Sequence, residues 1–228
     1  MKNPFARLDR FERILWITSV IVIALCTVLS PQKDFFSLVA SLIGVTALIF
    51  IAKGYVIGQC LIIIFASLYG IISLEYHYYG EVITYMGMSA PMAIVSIIQW
   101  IKHPYKDSAQ VKVARLSASK IILLVIASIV VTVVFRFILE ALGTANLIAS
   151  TLSVATSFLA ASLTALRSPY YALSYAMNDI VLIALWIMAS TQDLSYLAMV
   201  VCFVVFLAND IYGFINWRRM GRWQEMDG

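Results

Sequence analysis

Charged side chains are scarce in this sequence: Asp, Glu, Lys and Arg make up only 12% of its 228 residues, while 62% are hydrophobic. Soluble domains use about 25% charged and roughly 45–50% apolar residues. So few charges cannot cover the surface of a water-soluble protein of this length. The composition therefore excludes an ordinary soluble domain and predicts a membrane protein.

Cysteine and histidine are also rare, with three and two copies. Cys26, Cys60 and Cys202 fall inside apolar runs without paired spacing, and His77 and His103 lie in two separate loops. This pattern argues against a disulfide framework or a metal site. A glycine-rich phosphate loop, a His-Glu-x-x-His motif and a serine nucleophile elbow are missing as well. We therefore expect a protein that is not an enzyme, with no catalytic residue, no metal and no cofactor.

Long apolar runs, by contrast, follow one another along the whole chain. A run of about 18 or more apolar residues is typical of a membrane-spanning helix. Such runs occupy residues 14–30, 35–53, 55–74, 80–101, 119–141, 145–166, 169–190 and 194–217. The sequence therefore predicts an all-α integral membrane protein with eight transmembrane helices, joined by connections too short to hold a soluble domain.

The basic residues indicate the orientation, because Lys and Arg are retained on the cytoplasmic side of a membrane. With both termini in the cytoplasm, fourteen of the sixteen basic residues lie inside, and only Lys33 and Arg136 lie outside. We therefore expect a multi-pass protein of the cytoplasmic (inner) membrane. Its net charge of +4 then reflects topology and contact with membrane lipid, and we expect no nucleic-acid partner.

Two parts of the chain resemble each other. Residues 38–45 match 147–154 at the start of two spans, and residues 96–100 match 213–217 at the end of two others. A three-helix unit ends on the side opposite its start, so a connector helix is needed before a parallel second unit. We predict two parallel three-helix repeats, as in the SWEET sugar transporters, at 35–101 and 142–217. The remaining divisions are the N-terminal segment and first helix (1–34), a loop and connector helix (102–141), and a tail (218–228).

Polar residues inside the predicted helices are candidates for a ligand site. An ionisable residue deep in a membrane helix costs on the order of 3 kcal/mol or more, so it usually faces a cavity or a partner. Asp179 and Asp210 both lie within an Asn-Asp-Ile tripeptide, after Asn178 and Asn209. No basic residue is predicted at their depth. They therefore either serve helix packing and bonding to backbone or water, or are balanced by protonation or a cationic ligand.

A family resemblance supports the second reading. It is carried by short motifs in the fourth and eighth spans: Gly80-Glu81, Pro91, Gln99-Trp100 and the segment 209–217. The chain resembles the Pnu family of bacterial vitamin transporters, most closely its PnuC-type nicotinamide riboside members. The resemblance implies a SWEET-like bundle with one vitamin site between the repeats. It also implies facilitated diffusion, with phosphorylation in the cell trapping the substrate.

One departure from the family pattern concerns the seventh span. Members of this type carry a tryptophan-rich motif ending in Trp-Asn, where this chain has tyrosines, including Tyr170, Tyr171 and Tyr175, before Asn178. The alternatives are therefore thiamine or another nucleoside-like vitamin, or a membrane assembly or receptor subunit that transports nothing. The sequence also leaves open whether the chain forms a homo-oligomer.

The predicted substrate-binding set combines amides, carboxylates and aromatic rings, the groups that a pyridinium nucleoside requires. It consists of Gln59, Tyr85, Tyr175, Asn178, Asp179, Trp186, Asn209, Asp210 and Tyr212. Asn178 is the preferred direct contact. Trp100 and Trp217, near helix ends, are expected to belong to the interfacial aromatic belt rather than to the site.

Overall fold

The structure is a computed structural model that describes residues 4–30, 35–75, 79–144, 146–191 and 193–227. In these ranges, eight helices are long and apolar enough to cross a membrane. They are α1 (Arg10–Leu29), α2 (Phe35–Ala52), α3 (Val56–Glu75), α4 (Tyr79–Lys102), α5 (Ala118–Ala141), α6 (Leu147–Ala165), α7 (Tyr170–Ser190) and α8 (Leu197–Met226). This confirms the all-α membrane fold and its helix number. The predictions made for Lys33 and His77 lie outside the described residues.

The two ends of the chain depart from the predicted spans. Helix α1 begins before residue 14 because Asp9 and Glu12 exchange side-chain-to-backbone hydrogen bonds of 2.8 Å, a capping box. Helix α8 continues to Met226, so most of the segment predicted as a tail is helical. Its last turns are held by the loop after α4, where Gln224 accepts a hydrogen bond from the Val113 N–H and donates one to the Val111 carbonyl.

Six helices close into a ring, in the order α2, α3, α4, α6, α7, α8 and back to α2. Helix α1 packs outside the ring against α2 and α8, and α5 packs outside against α6. Most apolar side chains of α5 are exposed, for example Leu123 at 67% and Phe137 at 66%, as expected for a helix that faces lipid. We call the end of the ring near α1's start and α8's last turns the inner end, and the opposite end the outer end.

Helix α4 is distorted over Ile83–Ser89, where the backbone widens into a π-helical turn. Pro91, just after this turn, has no N–H to donate to the preceding turn, which accounts for the irregularity. The Ala90 N–H instead reaches the Tyr85 carbonyl, five residues back. Such turns often occur at functional sites, and this one carries Tyr85 and Ser89 toward the middle of the ring.

The inner end of the ring is closed by two tryptophans, and the expectation that they face the lipid interface is wrong. Trp100 and Trp217 are 1% and 0% exposed, and their rings contact each other at 5.4 Å. Trp100 Nε1 donates to the Thr164 carbonyl at the end of α6, and Trp217 Nε1 donates to the Ile51 carbonyl at the end of α2. Each tryptophan thus donates a hydrogen bond to a backbone carbonyl at the end of a helix in the other predicted repeat. The parallel relation between the repeats stays a prediction that this exchange supports.

Candidate functional site

A cavity lined by apolar, aromatic and polar side chains lies at the centre of the ring, and all six ring helices line it. Its wall consists of Gly44, Leu48, Ile51, Gln59, Ile62, Phe65, Ala66, Tyr85, Ser89, Ser157, Tyr171, Tyr175, Asn178, Asp179, Phe203, Phe206 and Asp210. The cavity measures about 50 Å³, whereas ligand pockets for small molecules measure about 300–1,000 Å³. Side chains around it must therefore move apart before a vitamin-sized molecule can enter.

One face of α7 supplies four of the polar side chains that line the cavity, more than any other helix. Tyr171, Tyr175, Asn178 and Asp179 stand at positions i, i+4, i+7 and i+8, which lie on one side of an α-helix. Thr156 of α6 donates a hydrogen bond of 2.8 Å to Asn178 Oδ1. This bond fixes the orientation of the amide and leaves its amino group, with two N–H donors, for a molecule in the cavity.

Two carboxyl groups meet across α7 and α8. Asp179 and Asp210 are each 4% exposed, and their side chains lie close enough to interact electrostatically. The Asp179 Oδ2 atom has no hydrogen-bond partner among the described residues. Two anions cannot lie this close in a low-dielectric interior without a shared proton or a cation between them. No Lys, Arg or His is among the described residues that line the cavity.

Gln59 extends the polar wall from the side of α3. It is 2% exposed, and its Nε2 atom has no hydrogen-bond partner among the described residues. A buried amide without a partner costs stability unless a ligand or water satisfies it. Gln59, Asn178 and Asp179 therefore present unused hydrogen-bonding groups to one cavity from two helices.

Aromatic rings form much of the remaining wall, together with aliphatic side chains such as Leu48 and Ile62. Phe65 contacts Tyr85 at 5.8 Å and Phe206 at 5.6 Å between ring centroids, and Phe203 contacts Phe206 at 5.7 Å. Gly44 allows this approach, because a Cβ atom there would lie 2.5 Å from the Phe206 ring. Aromatic faces beside carboxylates are the environment that attracts an organic cation. The cavity is therefore suited to a flat, positively charged ligand with groups that can accept and donate hydrogen bonds.

Comparison with known proteins identifies the family. Residues 34–219 match the model of a family described as nicotinamide mononucleotide transporter. The chain belongs to this family. It is 27% identical over 224 residues to the nicotinamide riboside transporter PnuC of Neisseria mucosa, covering 96% of this chain and 85% of that protein. The crystal structure of the vitamin B3 transporter PnuC superposes with a TM-score of 0.82 at 26% identity, covering 94% of this chain and 93% of the other. The Pnu-family resemblance seen in the sequence is thereby confirmed.

Within this transporter family fold, three of the predicted site residues do not line the cavity. Asn209 points toward α1, where its Nδ2 donates to Ser19 Oγ at 3.0 Å and to the Val205 carbonyl at 2.9 Å. Tyr212 also faces α1 and donates its hydroxyl proton to Glu12 at 2.6 Å. Trp186 is fully buried in the apolar core toward the outer end, with its ring 5.5 Å from that of Tyr196. The other six predicted residues all line the cavity.

Sequence reasoning left out several lining residues, among them Tyr171, Ser157, Phe203 and Phe206. Helical spacing carries a signal for some of them. Phe203 and Phe206 precede Asp210 by seven and four positions, so they share its face of α8. Ser157 carries no such signal, because serine is common where membrane helices pack closely.

Proposed function

We propose that this transporter carries nicotinamide riboside, the substrate named for its relative from Neisseria mucosa. The observation that supports this proposal is the cavity wall itself, which combines Asp179 and Asp210 with aromatic rings and has no basic residue among its described members. The carboxylates balance the pyridinium charge. The Asn178 amino group and the Gln59 amide then bind the ribose hydroxyls or the carboxamide.

The same wall argues against the mononucleotide for which the family is named. A phosphate group adds about 1.5 to 2 negative charges near neutral pH. Two buried carboxyl groups would repel it, and no arginine or lysine in the described wall is available to pair with it. The unphosphorylated nucleoside is therefore the better match.

Transport follows from the placement of the site in the middle of the ring. The tryptophan pair closes the inner end, so this end must open before a ligand in the cavity can leave toward it. Nothing in this route requires an energy source. We infer facilitated diffusion, with phosphorylation in the cell retaining the product.

A binding titration with purified protein tests the ligand. Nicotinamide riboside should bind, while nicotinamide mononucleotide and an uncharged deoxynucleoside should each bind at least about tenfold more weakly, a difference of about 1.4 kcal/mol. Thiamine serves as a cation of different shape. Binding of thiamine or the mononucleotide tighter than that of the riboside would overturn the assignment.

Reconstitution into liposomes tests the transport mode. Labelled nicotinamide riboside should equilibrate across the bilayer without ATP or an ion gradient. Accumulation against its own gradient under an imposed pH difference would contradict facilitated diffusion and make an aspartate a proton carrier. No movement of any bound ligand would instead favour a receptor or assembly subunit.

Topology is tested by reporter fusions. We propose that both termini lie in the cytoplasm. The distribution of Lys and Arg along the chain supports this orientation. A reporter after Gly228 should be cytoplasmic, and one inserted between α3 and α4 should be external. Reporters on the same side at these two positions would contradict this orientation.

A further inference from the structure

A third buried carboxylate lies outside the central cavity, near the outer end of the ring. Glu81 is the third residue of α4 and is only 4% exposed. Its Oε2 atom has no hydrogen-bond partner among the described residues, and it takes part in none of the four ion pairs found there. A buried carboxylate without a counter-charge is expensive in a membrane protein and is usually functional.

Helix packing alone does not account for Glu81. Its neighbour across the α4–α6 contact is Ser153, yet the Ser153 hydroxyl also lacks a hydrogen-bond partner of good geometry. The start of α4 favours a negative charge, since the helix dipole is positive there. The fold therefore holds the carboxylate beside Ser153, while its Oε2 atom keeps no hydrogen-bond partner among the described residues.

Two tyrosine rings connect Glu81 with the central cavity. Tyr69 and Tyr85 contact each other at 4.3 Å between ring centroids, and both lie close enough to Glu81 for electrostatic interaction. Tyr85 interacts in the same way with Asp179 and lines the cavity. Tyr69 does not line the cavity, and its buried hydroxyl lies beside Trp186. A carboxylate, two aromatic faces and a second carboxylate thus succeed one another from the outer end inward.

We propose that Glu81 and the Tyr69–Tyr85 pair form an outer subsite that an aromatic cation occupies on its way to the aspartates. This inference rests on the proposed function and adds a second binding position to it. The carboxylate attracts the positive ring, and the tyrosine faces hold it as it passes. Tyr85 lies on the π-helical turn of α4, so movement of this turn would open the passage between the two positions.

Glu81→Gln tests the subsite, because it keeps the side-chain shape and removes the charge. The substrates are nicotinamide riboside and its dihydro form, whose reduced ring carries no charge. Inward transport of the charged substrate into sided proteoliposomes should slow about tenfold relative to the neutral one, as expected for loss of one charge contact on the route. Equilibrium affinity for the riboside should stay within about twofold, since a transit subsite alters entry and exit rates together.

Two control variants separate this role from a structural one. Glu140→Gln removes a carboxylate at the same end of the ring, but Glu140 is exposed and paired with Arg136 at 3.0 Å, so neither substrate should be slowed. Ser153→Ala removes the hydroxyl beside Glu81 and should leave both rates unchanged. Equal slowing of the two substrates in Glu81→Gln, or the same selective slowing in Ser153→Ala, would overturn the proposal.

Tyr69→Leu tests the route independently, because it removes one ring and leaves all three carboxylates. It should slow the charged substrate selectively and leave the riboside affinity within about twofold. Wild-type protein that binds no riboside would overturn the proposed function. If the wild type transports the riboside but neither Glu81→Gln nor Tyr69→Leu slows the charged substrate selectively, the outer subsite is overturned and the proposed function stands.

Discussion

The last two helices of the ring carry the same tripeptide, Asn-Asp-Ile, and use it differently. On α7, Asn178 and Asp179 both line the central cavity. On α8, Asp210 lines the cavity, but Asn209 turns away and bonds Ser19 of α1. Identical residues at similar depth thus serve a candidate ligand site in one helix and helix packing in the other.

Rotation of the helix explains the difference. Successive residues of an α-helix point about 100° apart. We call the side of a helix that faces the cavity its arc. Two consecutive residues can both face the cavity only when the middle of this arc lies between them. Tyr171 and Tyr175 place the α7 arc between Asn178 and Asp179. Phe203 and Phe206 centre the α8 arc close to Asp210, which leaves Asn209 about 100° away and facing α1. A polar motif in a membrane helix therefore identifies a candidate residue but not the side on which it works.

The largest effect on binding is expected from Asn178→Leu. This change removes the amide that faces the cavity and leaves a polar group of the ligand unsatisfied, a loss of roughly 1–3 kcal/mol or about 5- to 150-fold in affinity. An apolar side chain suits the surroundings, so the protein should still fold. Titration with nicotinamide riboside and thermal unfolding in detergent measure the two outcomes. Normal binding, or failure to fold, would make Asn178 a structural residue like Asn209.

Asp210→Asn is expected to have the next largest effect. It removes one of two adjacent carboxylates, and Asp179 remains to balance a cation, so affinity for the riboside should fall about tenfold. The preference for the riboside over the mononucleotide should shrink, because less negative charge opposes the phosphate. Asp179→Asn should behave similarly, and the double variant should not show the sum of both effects, since the two groups interact. If the preference for the riboside over the mononucleotide is unchanged, the aspartates do not recognise the charge of the ligand.

Asn209→Leu is the matched control for Asn178→Leu. Riboside affinity should stay within about twofold, while stability falls by about 0.6–1.7 kcal/mol, from the average to the maximum measured for hydrogen bonds between membrane helices. Ser19→Ala should give a similar loss, and the double variant should cost less than the sum, because both residues form one bond. A large drop in affinity for Asn209→Leu would return Asn209 to the binding site and remove the contrast between the helices.

Tyr212→Phe is expected to have the smallest effect on riboside binding. The hydroxyl bonds Glu12 Oε1, while Lys53 at 3.1 Å and the Asp9 N–H bond Oε2, so the carboxylate stays paired and the loss of stability should be about 0.5–1.5 kcal/mol. Riboside affinity and transport rate should not change. Weaker riboside binding would show that the α1-facing side of α8 communicates with the cavity.

Much of the site could be predicted from the cost of polar groups in hydrocarbon. Gln59, Asn178, Asp179 and Asp210 were recognised because buried polar residues in apolar helices need a partner, and all four line the cavity. Trp186 was included as an aromatic candidate, but aromatic residues also fill apolar cores. Composition does not distinguish these two roles.

The sequence by itself determined the class, the number of helices and, through short motifs, the family. Hydrocarbon accepts only helices whose backbone hydrogen bonds are satisfied internally, so long apolar runs leave little choice of local structure. Tertiary structure alone decided which helices form the ring, which face each one turns inward, and that Trp100 and Trp217 close its inner end instead of facing lipid. These features depend on contacts between residues far apart in the chain, and in a uniformly apolar helix every face suits lipid equally well. Packing therefore selects the face.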